Sequence, residues 1–362
     1  MMQKLFCWTN LFILLAGLGL TGAAGAGEAA AATIDKTSIN IYARRRTGTY
    51  EDSEKRGYAL WGWTPQMRFR VNGPISEGGQ ITVEFTRPDG QAWLKLSCAT
   101  GPVGANQWWQ VTDCGEDLPE EMLARETGLY GLKISLKDEL AGKSEQLFIG
   151  KLKVGKFFAG GNQTSEKGHF GYYIDYDWWL PFGQVYAKEQ EEGYETEYAP
   201  LAVALWFRGD VQGEVSAHLF YGGREISNTK DNTKGTALSE ALIATFDNSS
   251  YIWKKQNFFF TNAFVYNNET EDNHPNTFRL DKNPGEYEIK VLRKGSLVRT
   301  LKFTVGADGK IVDSGIAEKN LLGNKRIIVP VQVTGDEDGA KPDLQAWRTS
   351  AFFGNALSGF NL

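Results

Sequence analysis

Gly128-Leu-Tyr-Gly-Leu-Lys-Ile134 and Gly285-Glu-Tyr-Glu-Ile-Lys-Val291 are two versions of one pattern, and their reading decides the fold. In each, a glycine is followed by a tyrosine and then by apolar residues at every second position: Tyr130, Leu132, Ile134 and Tyr287, Ile289, Val291. Period-two alternation is the mark of a strand with one buried face. Each copy continues into a second apolar run that ends alike, Leu152-Lys-Val154-Gly155 and Phe303-Thr-Val305-Gly306. Toward the N-terminus, Gly79-Gln-Ile-Thr-Val-Glu-Phe85 with a turn at Pro88-Asp89-Gly90 is matched by Gly213-Glu-Val-Ser-Ala-His-Leu219 with a turn at Gly222-Gly223. Again every second residue is apolar, so each stretch reads as a strand entering a hairpin. The chain therefore predicts two β-domains of one pattern, over 33–156 and 199–306. The second has a longer middle section with polar loops over 228–236 and 267–276.

The Gly-x-Tyr-x-apolar-x-apolar pattern follows Leu123-Ala-Arg-Glu126 in the first copy and Leu280-Asp281 in the second. In this it resembles the late strand of immunoglobulin-like sandwiches. That resemblance implies that Tyr130 and Tyr287 are corner tyrosines, whose hydroxyls bond back to the upstream backbone. The fold class it implies is all-β: two tandem immunoglobulin-like β-sandwich domains joined by an aromatic-rich linker, with a partly irregular C-terminal tail. The Cys-Trp-Cys signature of the immunoglobulin family itself is absent, because Cys98 and Cys114 lie too close together.

Residues 1–26 have the three parts of a secretory signal peptide. Lys4 is the positive start, Leu11 to Leu20 the apolar stretch, and Ala24-Gly25-Ala26 the cleavage site. That apolar stretch is short of the roughly 20 residues a membrane span needs, so no transmembrane segment is expected after cleavage. An exported chain left with Cys98 and Cys114 is expected to join them in a disulfide. Closing a loop of this size is worth about 3 kcal/mol in the chain-entropy picture. The net charge of −5 speaks against nucleic acid as a partner, which is held by concentrated Lys and Arg. The expected location is the periplasm, the extracellular space or the cell surface, with an envelope protein or a polysaccharide as the partner class.

Between the two domains, residues 157–198 carry His169-Phe-Gly-Tyr-Tyr-Ile-Asp-Tyr-Asp-Trp-Trp-Leu-Pro-Phe182 and then an acidic run from Glu189 to Glu197. Two readings of the aromatic stretch compete. In one, Tyr172, Ile174 and Tyr176 point the same way and clamp the domains together. In the other, Tyr173, Trp178 and Trp179, with Asp175 and Asp177, form an exposed ligand-binding platform for sugar rings or a protein. Trp61, Trp63, Trp108 and Trp109 admit the same pair of readings. In the tail, 307–362, Arg326-Ile-Ile-Val-Pro-Val-Gln-Val333 reads as one strand, and Pro330 within it predicts an edge position.

Catalytic chemistry is thinly supplied. There are 3 histidines, His169, His218 and His274, and none lies at metal-ligand spacing with another His or Cys. His218 falls out of phase with Val215, Ala217 and Leu219, which turns it away from the core. Ile311-Val-Asp313-Ser-Gly315 resembles the active-site motif of aspartic proteases, but those enzymes need two such aspartates and a second copy is missing. The sequence thus predicts no catalytic residue, no metal and no cofactor. It predicts an exported, non-enzymatic binding or structural protein of the cell envelope, with a carbohydrate-binding accessory protein or carbohydrate-active enzyme as the alternative.

Overall fold

The computed structural model describes residues 32–49, 59–72, 79–100, 108–114, 122–138, 142–160, 169–188, 198–209, 213–241, 253–267, 277–320 and 327–334, together with Ile75, Val211 and Leu322. Residues 1–26, where a signal peptide is expected, and the tail beyond 334 lie outside the described residues. Those described are overwhelmingly strand, with one short helix, α1 (Ile316–Asn320).

The N-terminal half forms one curled sheet. Its strands are β1 (Thr33–Thr49), β2 (Ala59–Asn72), β3 (Gly79–Thr86), β4 (Ala92–Thr100), β5 (Trp108–Cys114), β6 (Gly128–Asp138), β7 (Lys143–Gly160) and β8 (His169–Asp175). They are hydrogen-bonded in the order β1-β2-β5-β4-β3-β6-β7-β8. The corner is β4, which pairs with β3 from Ala92 to Cys98 but with β5 only at Ala99 and Thr100. A strand that changes partner along its length turns a sheet over onto itself. Alternate side chains from the two sides of that corner, among them Ile41, Phe69 and Val71 against Val83, Phe85 and Ile134, then share one core. Cys98 and Cys114 are joined by a disulfide beside this corner, linking β4 to β5. Trp63 is buried in the same core, its ring 4.9 Å from Tyr130 and 5.0 Å from Trp93. The side chains of Trp61, Trp108 and Trp109 lie outside the described residues.

The second curled sheet comprises β9 (Phe182–Ala187), β10 (Tyr198–Arg208), β11 (Val215–Tyr221), β12 (Arg224–Asn228), β13 (Thr236–Ala241), β14 (Trp253–Asn267), β15 (Phe278–Arg279), β16 (Gly285–Arg293), β17 (Ser296–Val305) and β18 (Ile327–Val333). Its order is β12-β11-β16-β17-β18-β9-β10-β14-β13, with β15 beside β14. The outermost strands β12 and β13 follow one another in the chain, so residues 229–235 must span from one edge to the other. This is possible only because the sheet curls until its ends approach. Across that seam Ser227 of β12 donates to Asn262 Oδ1 of β14, and Asn262 Nδ2 donates to the Ile226 carbonyl at 3.4 Å. Inside lie Leu201, Val203, Leu205 and Phe207 of β10, with Leu219, Ile289 and Leu301 opposite.

The strand around Pro330 is present, but its edge position is not. β18 is interior, flanked by β17 and β9. It pairs with β9 from Ile327 to Pro330 and with β17 from Val331 to Val333, making it the corner of this sheet as β4 is of the first. Val331 N donates toward β9, to the Pro181 carbonyl at 2.9 Å. Alternation turns the Pro330 nitrogen to the β17 side, one position past the last ladder pair. A missing N–H costs nothing there, which is why an interior strand tolerates the proline.

Candidate functional site

The aromatic stretch between the two halves is built into both sheets. β8 pairs with β7 at the end of the first, and β9 lies between β18 and β10 in the second. Alternation along β8 sends Tyr172 and Ile174 into the first core, and Tyr176 follows them. Next comes a single 3-10 turn, Asp177–Trp179, closed by Trp179 N to the Tyr176 carbonyl at 2.9 Å and Leu180 N to the Asp177 carbonyl at 3.1 Å. Pro181 follows immediately. This reversal drives the Trp179 ring inward, where it is only 1% exposed.

On β10, Leu205 and Phe207 fill the second core, so Trp206 and Arg208 face the opposite way, toward the turn. Trp179 lies 5.0 Å from Tyr176 and 5.1 Å from Trp206, while Tyr176 is 6.5 Å from Trp253 of β14. Phe182 adds an edge contact to Trp206 at 6.5 Å. Tilted and edge-on ring pairs at these distances are favourable beyond the area they bury. The Tyr176 hydroxyl also closes the first sheet. It donates to the Ile41 carbonyl and accepts from Ile41 N at 2.7 Å, satisfying both groups on the side of β1 that faces away from β2. Burial raises the Tyr176 phenol well above its ordinary value of 10.0.

The other face of β8 meets β7 through two reciprocal glycine–aromatic pairs. Gly155 is opposite Tyr173 and Phe157 is opposite Gly171. A Cβ at Gly155 would lie 2.2 Å from the Tyr173 ring, and one at Gly171 would lie 2.3 Å from the Phe157 ring. Each ring therefore rests on the bare backbone of the neighbouring strand. The buried Arg208 guanidinium lies over Tyr173, 5.2 Å from its centroid. Beside them Lys153 Nζ reaches Asp175 Oδ2 at 3.2 Å and Asp177 Oδ2 at 3.7 Å. Both carboxylates are buried, whereas the lysine side chain is 46% exposed. Burial pulls the Lys153 ammonium down, but the charges of Asp175 and Asp177 more than offset it, holding the amine above its ordinary value. A permanently charged lysine between two carboxylates is a fixed ion triad, suited to pinning the turn rather than to shuttling protons.

Of the five residues that the platform reading names, four are thus placed. Tyr173 is half-buried over Gly155, Asp175 and Asp177 are buried on Lys153, and Trp179 is buried in the junction. The Trp178 side chain lies outside the described residues. An exposed platform does not form at Trp179, because the 3-10 turn aims it between the sheets. Lys153, Trp206, Arg208 and Trp253 belong to the same constellation and were missed. The available signal was Trp206 and Arg208 falling in alternate phase within Leu205-Trp-Phe-Arg208, a strand apolar on both faces. Tyr130 donates to the Glu126 carbonyl at 2.9 Å and Tyr287 to the Asn283 carbonyl at 2.6 Å, each four residues upstream. Asp313 is exposed and its Oδ1 accepts from Gly315 N at 2.8 Å, a local turn contact. Among the described residues no cluster of His, Cys, Asp and Glu is arranged around a metal position, and no helix is long and apolar enough to cross a membrane. No protein-family model matches the chain, and no curated protein is similar to it.

Proposed function

We propose that this is an exported, non-enzymatic protein of the cell envelope that acts by binding or spacing other components. The observation behind this is the fate of the aromatic segment. Trp179, which a ligand platform would expose, is spent with Tyr176 on joining the two sheets through Trp206 and Trp253. The Lys153–Asp175–Asp177 triad pins the same turn. Such a joint suits a rigid strut better than a hinged cleft that closes on a substrate. A descent of each half from an immunoglobulin-like module is part of the proposal. It is supported by the paired tyrosine hydrogen bonds at Tyr130 and Tyr287 and by the corner strands β4 and β18. The leader-like residues 1–26 and the Cys98–Cys114 bond support the exported address.

The test is retention of the purified chain, lacking residues 1–26, on peptidoglycan, surface polysaccharide and outer-membrane extract. Saturable capture of one defined protein is the expected result. Selective retention on polysaccharide, released by soluble sugar, would overturn the reading in favour of a glycan-binding protein.

A further inference from the structure

On the outward face of the second sheet, away from the aromatic junction, four polar side chains form a directed hydrogen-bond relay. It begins in the backbone. Asn228 Oδ1 accepts from Lys230 N at 3.1 Å and Asp231 N at 2.8 Å. Those contacts fix which end of the amide is oxygen, so Nδ2 points the other way and donates to Glu225 Oε1 at 2.8 Å. The second carboxylate oxygen, Oε2, lies 3.1 Å from His218 Nδ1. An ionised carboxylate accepts only, so the proton of the neutral imidazole sits on Nδ1 and leaves Nε2 bare. Ser216 Oγ lies 3.1 Å from that Nε2.

This alignment depends on a bulge. In β12, Asn228 pairs with His218 and Ser227 with Leu219, but Glu225 pairs with Phe220, so Ile226 is an extra residue. Residues three apart on a regular strand point to opposite faces. The bulge puts Glu225 and Asn228 on one face, beside Ser216 and His218, which share it as i and i+2. Among the described residues, the remaining charged groups facing His218 come from β16. Lys290 is opposite His218 and Glu288 is opposite Phe220, and the two are paired to each other at 3.1 Å.

We propose that Ser216 is a base-activated nucleophile, a modification site that takes an acyl group from activated esters. The relay has the order and polarity of a serine–histidine–carboxylate system. In the step, the Ser216 Oγ–carbonyl bond forms and the bond from that carbonyl to the ester's leaving oxygen breaks. The hydroxyl proton passes to His218 Nε2 and then to the departing oxygen or to water. The transient imidazolium is paired with Glu225. Ser216 is partly exposed, and the side chains of His218 and Glu225 keep 15% and 39% of their surface exposed, so a small acyl donor approaches from the solvent side. This chemistry is independent of the spacing role, which it neither requires nor replaces.

The experiment treats the full chain with p-nitrophenyl acetate and locates acetyl groups by peptide mass spectrometry over time. Ser216 should be acetylated about 100-fold faster than the exposed Ser144 and Ser296, the gain general-base assistance provides. Ser216→Ala should abolish that adduct, and His218→Gln should slow Ser216 to the pace of the other two serines. Should His218→Gln fail to fold, Glu225→Gln preserves the shape and should slow Ser216 toward the pace of the other two serines by favouring the wrong imidazole tautomer. Equal labelling of Ser216, Ser144 and Ser296 overturns the proposal. So does labelling of Ser216 that is indifferent to His218→Gln or, where that variant is unfolded, to Glu225→Gln.

Discussion

Tyr176→Phe removes one oxygen atom and leaves every ring contact of the junction in place. That oxygen serves two backbone groups, the N–H and carbonyl of Ile41, on the side of β1 that pairs with no strand among the described residues. Ile41 and Tyr176 are 1% and 4% exposed, so water cannot take over. Stranding a buried polar group costs about 1–3 kcal/mol, so the pair should cost about 2–6 kcal/mol, with about 3 a working value. With a urea slope of about 3 kcal/mol/M, the unfolding midpoint should fall by about 1 M at unchanged slope. Tyr172→Phe is the control. Its hydroxyl makes one partly exposed bond, to the Arg125 carbonyl at 3.2 Å, and its loss should cost about 1 kcal/mol. Hydrogen exchange adds a local reading, since the Ile41 amide should lose protection in Tyr176→Phe before its neighbours on β2 do. A midpoint lowered no further than in Tyr172→Phe, with Ile41 still protected, would refute the idea that one hydroxyl seals this edge.

Gly155→Ala places a methyl 2.2 Å from the Tyr173 ring and should cost about 1–3 kcal/mol by calorimetry. Adding Tyr173→Ala should recover part of that loss, and strict additivity of the two would argue against the clash. Lys153→Met strands two buried carboxylates and should cost about 3–5 kcal/mol at neutral pH. A variant that melts with the parent would count against the triad. Burial raises the Tyr130, Tyr176 and Tyr287 phenols above the ordinary 10.0. A group whose folded-state value is raised contributes stability below its unfolded value and loses it as pH climbs. Stability should therefore decline above about pH 10, by up to about 1.4 kcal/mol per pH unit for each phenol. These three should ionise only with unfolding when phenolate absorbance is followed against pH, and smooth titration in the folded state would contradict their burial.

The strands were largely legible in the chain. Hairpins at Pro88-Asp89-Gly90 and Gly222-Gly223 stand where the glycines place them, because turn chemistry is local. The alternation around Tyr130 and Tyr287 likewise became β6 and β16. Pro330 misled because its cost depends on which neighbour its nitrogen faces, and that is set by where β17 and β9 exchange along β18. Trp179 left two readings open for a similar reason. Composition marks a cluster of aromatics as noteworthy, but only the 3-10 turn settles whether a ring meets solvent or another sheet.

What the sequence determined by itself is the class of structure, the phase of its strands and its hairpins, since each rests on residues within a few positions of one another. The tertiary structure decided which strands became corners, how Lys153 met Asp175 and Asp177, and how one extra residue at Ile226 brought Ser216, His218, Glu225 and Asn228 into line. Those outcomes depend on register between strands distant in the chain. A shift of one residue reverses the face a side chain occupies, and only the packed sheet selects between the two.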